Sequence, residues 1–240
     1  MESSEYNRMF SLEERHWWFA ARRELVLSFV SGTHNKILDV GCGTGANTSA
    51  LSAKGKVTGV DNSPLAVSFA RKRGLKRIFL QDAEKLRLGG RFNYITLLDV
   101  LEHCDDDAAV LKNCRRLLEK NGKLIVTVPA FMMLWEKHDE LLHHKRRYNG
   151  RSFSRLVHSC GFDIERMTFW NSVLFPLVAL KRLLVSAIGI EGHGADMLLL
   201  PPIFNDFLRE VLEVENKLIE RGLNLPLGLS IIAVCKRRGG

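Results

Sequence analysis

Residues 37 to 45, ILDVGCGTG, place the carboxylate of Asp39 two positions ahead of a run of glycines at 41, 43 and 45. Glycine turns the backbone sharply and leaves N–H groups bare at a helix start, so Gly41, Cys42, Gly43 and Gly45 are suited to hold a ligand. The glycine spacing alone is ambiguous, because Gly41, Gly43 and Ala46 also satisfy a dinucleotide-binding fingerprint. Asp39 separates the two readings, since it repels a pyrophosphate lying over the loop and favours a ligand that carries positive charge. Two more acids recur at comparable places, Asp61-Asn62 after KVTGV and Asp82-Ala83 after RIFLQ. A carboxylate closing the second strand of a Rossmann-like unit takes ribose hydroxyls, and one closing the third is suited to accept from an adenine amino group. Any one of them alone reads as a loop carboxylate or a helix cap; three at successive strand ends outline one ligand.

A ligand with an ammonium, a sulfonium, a ribose and an adenine is S-adenosylmethionine. Methyl transfer from it asks for in-line alignment, exclusion of water and deprotonation of a protonated acceptor. Candidate proton acceptors are His103 in DVLEH (residues 99–103) and His143, His144 and Tyr148 in FMMLWEKHDELLHHKRRYN (residues 131–149). In the same loop Arg146 and Arg147 are suited to an anionic acceptor group, with a solvated basic loop as the plainer reading. His138, His143 and His144 have the spacing H-x4-H-H, which matches no common zinc pattern, so no metal is expected there.

The elements that must position these groups alternate between strands and helices, which means parallel βαβ units. Strands are expected over Ile37–Val40, Lys56–Val60, Arg77–Leu80, Tyr94–Leu98 and Lys123–Val128. Ser63-Pro64 starts a helix that Gly74 stops, and Asp105, Asp106 and Asp107 open another with negative charge on its positive end. A helix over residues 11–30 is expected from the capping box of Ser11 and Glu14, with Gly32 after its end. Its consecutive His16, Trp17, Trp18 and Phe19 cannot share one face. They are read either as core packing or as an aromatic lid (residues 11–32). Phe153–Cys160 reads as a helix, Phe162–Trp170 as a sixth strand and Leu229–Lys236 as the last.

Between the last two strands lies an insertion, residues 171–226. Its first half, Ser172 to Ile190, approaches membrane-spanning length but carries Lys181 and Arg182 at its centre, which disfavours a spanning helix. An interfacial helix or a lid over the pocket fits better. In the second half Phe207, Leu208, Val211, Leu212, Leu218 and Ile219 share a face, Asn205 is placed as a cap and Gly222 ends the helix. The link Leu198-Leu199-Leu200-Pro201-Pro202 is unusually apolar.

Taken in order, ILDVGCGTG, the acid in VTGVD, QDAE, DVLEH and LLEKNGKLIVTVP resemble the class I S-adenosylmethionine-dependent methyltransferases over roughly residues 36 to 170 plus the last strand. The resemblance implies an α/β fold, a Rossmann-like seven-stranded mostly parallel sheet with an antiparallel edge strand. To this the chain adds the N-terminal helix and a helical insertion before the last strand, in one domain. It further implies that Asp39, Gly41, Gly43 and Gly45 surround the methionine part, Asp61 meets the ribose, and Asp82-Ala83 lies by adenine. Leu98 and Asp99 would then lie by the methionine or the sulfonium. DVLEH is also similar to the quinone-biosynthesis O-methyltransferases, some of which hold a divalent cation through an E-x-x-E-H motif. Asp99, Glu102 and His103 stand at those places, and the reading preferred here is that Glu102 and His103 are helix-start residues near the cofactor.

The 240 residues, 46% hydrophobic, suffice for one domain with a sizeable core, and five scattered cysteines without C-x-x-C argue against disulfides or a zinc site. A polar N-terminus lacks a signal-peptide core, so a cytoplasmic location is expected, with peripheral contact at the inner face of a membrane as one use of the insertion. Net charge is +8, with clusters at Arg71-Lys72-Arg73, Lys145-Arg146-Arg147 and Lys236-Arg237-Arg238; they sit apart and lack aromatic interleaving, so nucleic acid is not the expected partner. The expected acceptor is a small, partly apolar molecule, quinone-like or lipid-linked. The rivals are an RNA or protein methyltransferase, a binding module without turnover, and a nicotinamide oxidoreductase.

Overall fold

The computed structural model describes residues 3–188 and 200–239. Its centre is a seven-stranded sheet of order β3-β2-β1-β4-β5-β7-β6. The strands are β1 Asn35–Val40, β2 Gly55–Asp61, β3 Ile78–Leu80, β4 Phe92–Leu98, β5 Leu118–Pro129, β6 Phe162–Trp170 and β7 Ser230–Arg237. The first five run parallel, and β7 enters antiparallel between β5 and β6. Ile37, Leu38, Asp39 and Val40 are all buried, as a central parallel strand covered on both faces requires. Strand order reverses between β1 and β4, and the crevice beyond the carboxyl ends of the strands opens there.

Helices α1 Ser3–Leu12 and α2 Trp17–Ser28 precede the sheet; α3 Ala46–Leu51, α4 Pro64–Lys72 and α5 Asp107–Leu117 connect its parallel strands. After β5 come α6 Lys137–Leu141 and α7 Gly150–Ser159, and the insertion holds α8 Phe175–Ile188 and α9 Pro202–Glu220. Ser63 caps α4 by accepting from the Ala66 N–H at 3.3 Å, and Asp106 caps α5 by accepting from that of Ala109 at 2.8 Å.

The single helix expected over 11–30 is two helices. Glu13 turns inward at the break, where it accepts from the Thr44 hydroxyl and, at 2.7 Å, from Arg73. His16 restarts the chain as the N-cap of α2, its Nδ1 accepting from the Trp18 N–H at 3.3 Å. This break resolves the consecutive rings: Trp17 and Trp18 pack beside buried Trp170 and Leu212, while Phe19 joins Leu12.

Asn205 does not cap α9, which begins at Pro202. Instead Asn205 ties the helix to the α1–α2 break, accepting from the Trp17 N–H at 3.0 Å and donating to the Arg15 carbonyl at 3.1 Å. Leu212 and Ile219 are buried with Asn205, Glu215 and Asn216, whereas Phe207 and Leu218 are exposed. The docked face is therefore rotated from the apolar one read off the spacing, because polar side chains make the attachment. Asn216 accepts from Trp170 Nε1 at 2.9 Å and donates to the Ala21 carbonyl at 2.8 Å. Asn216→Ala leaves the Trp170 indole N–H unpaired in the core and removes the second bond at the Ala21 carbonyl; the expected loss is about 2 kcal/mol, read as a fall of several degrees in the thermal midpoint.

Among the described residues no helix is long and apolar enough to cross a membrane. Ile190, the end of the apolar stretch in the insertion, and Leu198-Leu199 of the link lie outside the described residues.

Candidate cofactor and acceptor site

A cavity of about 700 Å³ lies over the carboxyl ends of β1, β2 and β4. The glycine turn forms its floor. Gly41 has φ +69, and a Cβ there would lie 2.4 Å from a Val100 methyl. Gly41→Ala is expected to weaken cofactor binding several-fold by displacing Val100 and straining the turn, measured by calorimetry. Gly43 faces open space, so its bare backbone fronts the cavity.

Asp61 takes the Gly43 N–H at 2.8 Å on one oxygen and the Ser63 N–H at 2.9 Å on the other. Each oxygen keeps a lone pair for a ligand hydroxyl, and burial raises the pKa of the acid above its ordinary value. Tyr6 of α1 reaches the same corner beside Ser63 and Asp61. Asp82 starts a short turn by accepting from the Glu84 N–H at 2.9 Å and lines the cavity with Asn62 and Ala83. Leu98 and Asp99 form the wall at the end of β4.

Three residues of the anticipated cofactor set do not line the cavity: Asp39, Cys42 and Gly45. Asp39 is fully buried beneath the turn, where Thr48 and Thr96 donate to it at 2.6 and 2.7 Å. Cys42 packs under the loop against Val67 and Ile78, and burial pushes its thiol up. Gly45 has φ +93, and a Cβ there would meet Leu75 at 2.7 Å and Ala70 at 3.0 Å, so it serves the packing of α4.

Asp99 sits at φ 56 and pairs with Arg22 of α2, while the Thr127 hydroxyl donates to it at 3.0 Å. Arg22 is buried, stacks over the Trp18 ring at 4.4 Å, and leaves its Nε without a partner. Burial holds its pKa down to about 10. A buried guanidinium with spare donors beside the glycine turn is suited to a carboxylate of the ligand. Sequence reading missed Arg22 and Tyr6; the tryptophans beside Arg22 were the available clue, but a helix far from the turn in sequence carries no register with it.

The cavity also gathers Glu102, His103, His143 and His144. Glu102 and His103 lie on the short turn Leu101–His103 after β4. Glu102 is fully buried with neither oxygen hydrogen-bonded, and burial pushes its pKa up to about 8. Burial, with His144 adding to it, holds His103 down to about 4; the two rings meet edge to face at 4.6 Å. His143 stands exposed at the rim with φ 56. Tyr148 is elsewhere: it is buried, donates to Asp107 at 2.8 Å, and burial together with that bond holds its phenol far above the usual range.

The two arginines read as anion binders are tied to carboxylates of the chain. Arg146 donates to Asp107 at 2.9 Å, and Arg147 grips both oxygens of Asp139 at 2.8 and 2.9 Å. Residues able to hold a cation are Glu102, His103 and His144, whose ligand atoms lie within 4.8 Å of one another. The unpartnered carboxylate and the two imidazoles fit a divalent ion in their donor chemistry.

The strand order, the reversal between β1 and β4, and acids closing on a glycine turn define a class I S-adenosylmethionine-dependent methyltransferase fold. Residues 38–126 match the family model described as a methyltransferase domain. The chain is 32% identical over 144 residues to the ubiquinone biosynthesis O-methyltransferase of Xanthomonas oryzae pv. oryzae, an alignment covering 52% of this chain and 60% of that relative. Among solved structures, it resembles a chain of the Haloferax volcanii complex between the Trm112 methyltransferase activator and a methyltransferase. That match has TM-score 0.65 and 16% identity, and covers 99% of this chain and 94% of the other. A Thermotoga maritima S-adenosylmethionine-dependent methyltransferase aligns with TM-score 0.61 and 19% identity over 98% and 95% of the two chains. At such identities the structures share the fold and leave the acceptor open.

Proposed function

We propose that the chain transfers the methyl group of S-adenosylmethionine to a hydroxyl of a small, partly apolar acceptor. One observation carries this reading. A single cavity joins the Gly41–Gly43 and Asp61 cradle to the buried group of Glu102, His103 and His144, under a roof of Trp17, Trp18 and Val178. In the step, a lone pair of the acceptor oxygen attacks the methyl carbon in line with the departing sulfur. The S–CH₃ electron pair goes to sulfur, which leaves as a neutral thioether, and the hydroxyl proton passes to a base of the Glu102–His103–His144 group. Helices α1, α2 and α8 act as the cover that excludes water. The relatives active in ubiquinone biosynthesis support a hydroxylated, quinone-like acceptor. Exposed Val173, Leu177 and Leu180 on or beside α8 support delivery of that acceptor from a membrane surface.

A macromolecular acceptor is the weaker reading. The cations of residues 145–147, nearest the cavity, pair with Asp105, Asp107 and Asp139. The test is transfer of labelled methyl from S-adenosylmethionine into a lipid and small-molecule extract, with the product identified. Label in an organic-soluble hydroxylated compound is expected. Label appearing only in RNA or protein would replace this reading, and cofactor binding without any transfer would reduce the chain to a binding module.

A further inference from the structure

We propose that the outward face of α9 is a docking surface for the α9 of a second copy of this chain, packed antiparallel across a two-fold axis. The helix has two distinct faces. Leu212 and Ile219, with Asn205, Glu215 and Asn216, are buried against the body of the protein. Ile203, Phe207, Val214 and Leu218 are instead 74, 60, 57 and 42% exposed. Their steps of four, seven and four residues keep them in one row, roughly 140° round the helix from the docked face. Phe204, also exposed, borders this row. Single exposed apolar residues are ordinary on a protein surface, but a row along nearly the whole of a 19-residue helix marks a contact.

Charge selects the occupant. Glu210 and Lys217 lie one behind the other along the same edge of the row. Arg209 pairs with Glu213 and Glu24, whereas among the described residues no ion pair takes up Glu210 or Lys217. An antiparallel pairing that sets Phe207 against the partner's Leu218 brings Glu210 to within about 3 Å, along the helix axis, of the partner's Lys217. The two-fold axis makes that pair twice, so the face is complementary to itself. A parallel pairing sets glutamate against glutamate and lysine against lysine, which is unfavourable. A lipid surface fits α9 less well, because the helix carries five acids and two bases, whereas interfacial helices are rich in lysine and arginine.

The shared helix is also the one that holds the cover of the cavity. Asn205 accepts from the Trp17 N–H at the start of α2, and Glu215 accepts from the Ser172 and Val173 N–H groups at 2.9 and 3.1 Å, just before α8. A contact made only by the folded helix stabilises these attachments by mass action.

The test uses the full chain without cofactor or acceptor, so its outcome is independent of the transferase reading. Sedimentation over a range of protein concentrations is expected to show a monomer–dimer equilibrium, with a thermal midpoint that rises with concentration. Lys217→Glu and Glu210→Lys, each alone, are expected to raise the dimer dissociation constant by about tenfold or more, since each sets like charges together. The double variant Glu210→Lys with Lys217→Glu exchanges the signs and is expected to recover the wild-type value to within about threefold. Phe207→Glu is expected to abolish the dimer. These positions are exposed, so far-UV dichroism should be unchanged in every variant. The proposal is overturned by a monomer at every concentration, including one that vesicles of anionic lipid take up instead. It is equally overturned by a dimer indifferent to Phe207→Glu, which would lie on another face, or by a double variant that recovers nothing of what the single variants lose.

Discussion

Asp61→Ala is expected to lower the affinity for S-adenosylmethionine by about a hundredfold or more, measured by calorimetry on the cofactor alone. Two losses combine. The carboxylate accepts the Gly43 N–H and so sets the shape of the glycine turn, and it lines the cavity with lone pairs left for the ribose hydroxyls of the proposed cofactor. Hydrogen bonds to a charged acceptor contribute about 1.5–3 kcal/mol each, so losing even one with the turn's anchor reaches the hundredfold range. Asp61→Asn separates the two roles: it keeps one acceptor oxygen for the Gly43 N–H but places an amide donor at the other oxygen's position, facing the Ser63 N–H. It is expected to fall between wild type and Asp61→Ala. Unchanged affinity in Asp61→Ala would remove the ribose contact from the proposed site.

Arg22→Met is expected to destabilise the protein by about 3 kcal/mol, the lower end of the range for breaking a buried ion pair, because Asp99 keeps 22% of its side chain exposed. The change removes the cation from Asp99 and takes away the stacking of the guanidinium on Trp18. At roughly 2–4 °C per kcal/mol for a chain of this size, the thermal midpoint falls by about 10 °C. The double variant Arg22→Met with Asp99→Asn should recover part of the loss, since no buried charge is then left alone; a double-mutant cycle measures the coupling. A coupling near zero would show that the pair contributes nothing beyond packing. The same Arg22 variant is expected to weaken S-adenosylmethionine binding if the spare guanidinium donors meet the ligand's carboxylate, and equal affinity would assign Arg22 to structure alone.

Much of the framework is legible without coordinates because it is local. The run Ile37-Leu38 into glycines, Ser63 before Pro64, and Asp106 at a helix start each act through neighbours a few positions away, and the strands and caps appear where those residues put them. The strand-end acids are legible for a related reason. Parallel βαβ units bring successive strand ends to one side of the sheet, so Asp61 and Asp82 reach one cavity.

Other groups were not legible, because a side chain's type does not say what will neutralise it. Arg146, Arg147 and Tyr148 resemble a substrate-binding cluster until Asp107 and Asp139 are seen to take them. Asp39 has the right sign for the ligand, yet Thr48 and Thr96 hold it beneath the turn.

By itself the sequence determined the βαβ order, the glycine turn and the strand-end acids Asp61 and Asp82 that meet at one cavity, since each rests on short-range backbone geometry and on a topology that repeats. Only the tertiary structure decided that the first helix breaks at Glu13–His16, that Arg22 pairs with Asp99, and that His144 rather than Asp99 stands beside Glu102 and His103. Those outcomes depend on which distant partner compensates each buried charge, and no local spacing carries that information.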